Sequence, residues 1–98
     1  MKSIELIRLA LDLPNNWEVV DIEFSGENSQ TLHITTRYIR QDKFINENGS
    51  EIEINNFIDR SFRYKNLFQL PCYIHCSVPQ IRDENGEIKQ VETPWSHH

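Results

Sequence analysis

Two short runs in this chain nearly repeat each other, and both read as turns. Residues 47–52 are Glu-Asn-Gly-Ser-Glu-Ile, and residues 84–88 are Glu-Asn-Gly-Glu-Ile. An Asn-Gly pair between apolar stretches is the strongest short hairpin signal, because a type I′ turn needs positive φ at both central residues. Asn48-Gly49 and Asn85-Gly86 therefore predict two hairpins, each closed by its own turn. After the first, Ile52 and Ile54 alternate with Glu51 and Glu53, as an edge strand would.

The chain leading to these turns predicts a helix and a third hairpin. In residues 2–13, Ile4, Ile7 and Leu11 fall on one stripe, widened by Leu6, Ala10 and Leu13. Glu5, Arg8 and Asp12 stand opposite. Pro14 disfavours helical φ/ψ at Leu13 and ends the helix. The apolar arc needs a partner, most simply a sheet. From Trp17 to Phe24, Val20, Ile22 and Phe24 alternate with Asp21 and Glu23. Residues 25–29 form a turn cluster, and residues 31–39 then send Leu32, Ile34 and Tyr38 to one side and His33, Thr35 and Arg37 to the other.

The largest ordered motif runs from Arg60 to Trp95. It contains Arg60-Ser61-Phe62-Arg63-Tyr64, then Tyr73-Ile74-His75-Cys76-Ser77-Val78-Pro79-Gln80-Ile81, then Gln90-Val91-Glu92-Thr93-Pro94-Trp95. This order resembles the N-terminal domain of the ISL-three family of bacterial insertion-sequence transposases. That family carries R-T-W-R-H-L-D, then Y-L-H-A-R-V-P-R-V, a C-x-x-C knuckle and V-x-V-P-W. Leu13-Pro14 and Trp17-Glu18-Val19-Val20-Asp21 match its opening helix and strand, so the resemblance covers about residues 4 to 95. Both knuckle positions lack cysteine here and hold the two Asn-Gly turns instead. A zinc ribbon ties two hairpin tips through one ion; these tips are expected to close without it, and no cofactor is expected.

The remaining chemistry is sparse. Cys72 and Cys76 stand four apart on one strand, roughly 13 Å, too far to bridge, and are expected as buried reduced thiols. Neighbouring strand residues point apart, so Cys76 and His75 cannot pair as nucleophile and base. His97-His98 reads as a tag remnant after a single domain of residues 1–96. In the resembled transposases an acidic catalytic domain follows the Pro-Trp end, where this chain stops. The resemblance thus implies a non-catalytic domain, not an enzyme.

For binding, the resemblance implies duplex DNA, with Arg60, Arg63 and Lys65 as phosphate contacts. On a strand, Arg63 and Lys65 share a face and Arg60 takes the other. Against DNA stands a net charge of -5, from ten basic and fifteen acidic residues. A protein–protein or self-associating module therefore stays open beside the DNA reading. The chain shows no signal peptide and no membrane-length apolar run, so the cytoplasm is expected; no small-molecule substrate suggests itself.

The expected fold is α+β: an N-terminal helix on an antiparallel sheet of three hairpins, the last two like a zinc ribbon without its metal. Trp17, Val20, Ile22, Phe24, Leu32, Ile34, Phe62, Tyr73, Val78 and Trp95 are the expected core.

Overall fold

The computed structural model describes residues 3–28, 30–46 and 48–95; His97 and His98 lie outside the described residues. One helix, α1 (Ser3–Leu11), precedes six strands: β1 (Trp17–Ser25), β2 (Thr31–Tyr38), β3 (Lys43–Ile45), β4 (Glu51–Leu67), β5 (Leu70–Arg82) and β6 (Ile88–Gln90). The class is α+β, mostly sheet. Among the described residues no helix is long and apolar enough to cross a membrane.

The helix stops sooner than its apolar pattern. Asp12 turns to φ +52° while its N–H still bonds the Arg8 carbonyl at 3.1 Å. A left-handed residue after the last turn is a common C-terminal cap, and it lets Leu13 enter the extended conformation that Pro14 requires. Arg8 then reaches across to the Trp17 carbonyl at 2.9 Å and ties the helix to the start of β1.

Strand order is β1-β2-β5-β4-β3, with β6 also paired to β5. The three expected hairpins are present, but the sheet is not antiparallel throughout: β2 and β5 run parallel, Leu32 opposite Cys72 through Arg37 opposite Ser77. The cause is a fourth hairpin. β4 and β5 are long antiparallel partners joined through Leu67 and Leu70, with Phe68 at φ +53° and Gln69 at φ +65°. That is a tight turn with positive φ at both central residues, made without Gly or Asn, and it returns β5 alongside β2 in the same direction.

At the two Asn-Gly sites the hairpins form, but with a wider turn than the two-residue type I′. Among the described residues of these turns only the glycines are left-handed, each at φ +82°. Gly49 N–H bonds the Asn46 carbonyl at 2.9 Å and Asn46 N–H bonds Ser50 at 3.0 Å; Gly86 to Asp83 (3.0 Å) and Asp83 to Glu87 (2.8 Å) repeat the pattern. This is a three-residue hairpin with a glycine bulge. In both, the first side chain completes the turn. Asn46 Oδ1 accepts from Asn48 and Ser50 N–H, and Asp83 Oδ1 accepts from Asn85 and Glu87 N–H, all within 2.8–3.0 Å.

One sheet face is covered. Leu32, Ile34, Thr36 and Tyr38 of β2 and Cys72, Ile74, Cys76 and Val78 of β5 are buried there, under Ile7 and Leu11 of α1 and under Val91 and Trp95 of the C-terminal tail. At ~1.5–3 kcal/mol per fully buried large aliphatic side chain, this layer dominates the stability. Of the expected core, Trp17, Leu32, Ile34, Val78 and Trp95 are buried, and Ile22 and Phe62 pack at its edge. Val20 (46% exposed), Phe24 (58%) and Tyr73 (38%) are not core residues. Val20 is the extra residue of a bulge: Val19 faces Thr36 and Asp21 faces Thr35. The bulge shifts the parity, so Trp17 and Val19 point inward before it and Ile22 after it. Tyr73 simply has the opposite parity to Cys72 and Ile74.

Candidate functional site

Helix and tail cover the same side, so the other face of β1, β2, β5 and β4 is open. The strand registers lay its side chains in three rows. Glu23, His33, Tyr73 and Arg63 form one; Asp21, Thr35, His75 and Ser61 the next; Glu18, Arg37, Ser77 and Asp59 the third.

A hydrogen-bonded line crosses this face. Ser25 Oγ lies 2.8 Å from His33 Nε2, His33 Nδ1 lies 2.8 Å from His75 Nε2, and His75 Nδ1 lies 2.7 Å from Ser61 Oγ. The two imidazoles are nearly parallel, 18° apart with centroids at 5.1 Å, and Tyr73 stacks on His33 at 6.0 Å. Burial and the neighbouring His33 hold the His75 pKa below the usual histidine range, against the opposing pull of Glu23. Beside His75 the face dips into a shallow dish of about 480 Å³ whose lining includes Val20, Thr35, Arg37, Asp59, Ser61 and Ser77. Ser77 donates to Asp59 at 2.9 Å, and Arg37 pairs with Glu18.

The three residues expected to grip phosphate are not brought together. Arg63 stands on the open face, but its guanidinium holds the fourth hairpin: it donates to the Tyr64 carbonyl, to the Cys72 carbonyl at 3.1 Å and to Asn66 Oδ1 at 2.6 Å, and lies 5.6 Å from the Tyr73 ring centre. Arg60 is opposite Cys76, with the parity of the other face, and its guanidinium bonds Gln90 at 2.8 Å, although the residue also lines the dish. The regular register breaks after Tyr64, and Lys65 lies over the Tyr64 ring at 5.7 Å, so it does not share the face of Arg63. Sequence alone set His75 aside as a partner for Cys76, gave His33 only an outward position, and assigned no role to Ser25 or Ser61. Their line depends on the parallel β2–β5 pairing, although alternation alone puts His33 and His75 on outward positions.

Cys72 and Cys76 are free and buried, and burial pushes both thiols up to about 11. They stay protonated at neutral pH and are poor nucleophiles. Among the described residues no cluster of three or more His, Cys, Asp or Glu side chains is arranged to hold a metal ion.

A second feature is apolar. Leu6, Ile7, Ile22, Phe24 and Phe68 line a groove of about 230 Å³ between α1, β1 and the fourth hairpin. No family model, curated protein or solved structure matches this chain.

Proposed function

We propose that this chain is a zinc-independent, non-catalytic DNA-binding domain of the kind found at the N-terminus of ISL-three family transposases. One observation carries the reading beyond the residue order. Pairing of β4 with β5 sets the two Asn-Gly turns at the same end of the sheet, where Asn46, Asn48 and Ser50 share a cleft with Asp83, Glu84 and Asn85. Two hairpin tips side by side are what a shared structural ion would need. Here each tip is closed by its own carboxamide or carboxylate.

Contact with DNA falls to the open face, through the guanidinium groups of Arg37 and Arg63, the hydroxyls of Thr35, Ser61 and Ser77, and the rings of Tyr73, His33 and His75. Glu18, Asp21, Glu23 and Asp59 on the same face work against phosphate. Binding is therefore weak, with a shallow salt dependence. Titration of duplex DNA at several salt concentrations tests this: with one or two phosphates neutralised, log K falls with log salt at a slope of about -1 to -2. Absence of binding at low salt overturns the proposal.

A second reading, a protein-interaction module, draws on the apolar groove. Phe24 and Phe68 are both more than half exposed there, and exposed aromatic side chains beside a groove suit an apolar partner.

A further inference from the structure

We propose that His33 and His75 take up a single shared proton, and that this proton makes the open sheet face receptive to a phosphodiester ligand. Two neutral imidazoles carry one N–H each. Either direction of the line Ser25–His33–His75–Ser61 then satisfies every ring nitrogen: each ring donates one way, and a serine hydroxyl fills the remaining acceptor.

One added proton also fits. The charged ring donates at both nitrogens, the neutral ring accepts across the 2.8 Å His33–His75 contact and donates outward, and both serine oxygens accept. A second proton does not fit, because it would set N–H against N–H in that contact. The geometry therefore allows one positive charge, delocalised over two strands by tautomer exchange, and resists two.

The charge has a defined audience. From β1, Glu18, Asp21 and Glu23 share the face; from β2, Arg37; from β4, Asp59 and Arg63; from β5, Tyr73. With neutral imidazoles the four carboxylates outnumber the two guanidiniums. The proton narrows that imbalance and places the new charge at the rim of the dish, beside the hydroxyls of Thr35, Ser61 and Ser77. A phosphate oxygen resting there has Arg37 beside it in either state and gains a neighbouring imidazolium charge only when the pair is loaded. Burial and the neighbouring His33 hold the His75 pKa below its ordinary value, in keeping with resistance to a second proton.

This inference rests on the DNA reading for its ligand, and two measurements separate the parts. Imidazole NMR on the free protein, with His33 and His75 resolved from His97 and His98, is expected to show both rings moving at one common midpoint, each by about half a full protonation shift. Two rings titrating fully and independently overturn the shared proton. A duplex DNA titration from pH 5 to 8 is expected to weaken by up to tenfold per pH unit above the midpoint, and to lose that dependence in His33→Gln/His75→Gln. Should that variant unfold, Ser61→Ala keeps both rings, frees the outer end of the line and is expected to move the midpoint. A pH-independent DNA affinity in the parent overturns the switch. If the rings share one proton while DNA fails to bind at every pH, the DNA reading and the assigned ligand fall and the one-proton pair stands.

Discussion

Trp17 and Trp95 meet edge to face, with ring centroids 5.1 Å apart and planes at 72°. The first residue of β1 and the last described residue of the chain thus share one core. Trp17 also packs on Tyr38 at 5.1 Å, and Trp95 reaches Phe62 at 6.4 Å. The Pro-Trp end is a structural closure laid over the sheet. Truncation of such a buried aromatic costs about 3–5 kcal/mol, so Trp95→Ala is expected to lower the denaturant midpoint strongly. A Trp95→Ala midpoint close to that of the parent would show that the tail is not docked.

The two Asn-Gly turns provide the next test. An added Cβ at Gly49 or Gly86 meets nothing within 4 Å, so any cost of substitution comes from φ +82° alone. Gly86→Val is expected to destabilise by about 1–3 kcal/mol, and Gly49→Val by a similar amount. Because each turn closes itself, thermal unfolding with and without a strong chelator should superimpose. A loss of many degrees on chelation would mean that a structural metal contributes to folding.

The fourth hairpin predicts the opposite sign. Phe68 and Gln69 hold φ +53° and +65°, a conformation that costs L-residues about 1–2 kcal/mol each. Phe68→Asn with Gln69→Gly puts into this turn the residues its geometry prefers. The double variant is expected to raise the melting temperature. An unchanged or lowered melting temperature would show that Phe68 packing outweighs the backbone strain.

Acid should weaken the fold through His75. Its folded pKa lies below the unfolded value, so the unfolded chain binds more protons as the pH drops through 6.5. The stability is present above the unfolded pKa and declines on acidification towards the folded one. Unfolding curves between pH 7.5 and 5 are expected to show this decline, reduced in His75→Gln.

Most elements could be read from the residues, for identifiable reasons. Alternation of Leu32, Ile34 and Tyr38 against His33, Thr35 and Arg37 gave β2 and its buried side correctly. Pro14 marked the helix end, and the repeated Asn-Gly pairs marked two turns. The bulge at Val20 was not readable, because Trp-Glu-Val-Val-Asp-Ile-Glu-Phe alternates acceptably without one. Nor was the hairpin at Phe68-Gln69, which lacks every usual turn residue. That omission hid the parallel β2–β5 pairing, and with it the contact between His33 and His75, 42 positions apart in the chain. Parity did separate Arg60 from Arg63, as expected for one strand. It failed for Lys65, beyond the register break at Tyr64.

The most direct test of the account is backbone chemical-shift mapping of the protein against short duplex DNA at low salt and pH 6. Perturbations are expected to concentrate on Thr35, Arg37, Ser61, Arg63, Tyr73, His75 and Ser77 and to fade as salt is added. Perturbations centred instead on Leu6, Phe24 and Phe68, or no perturbation at all, would contradict it.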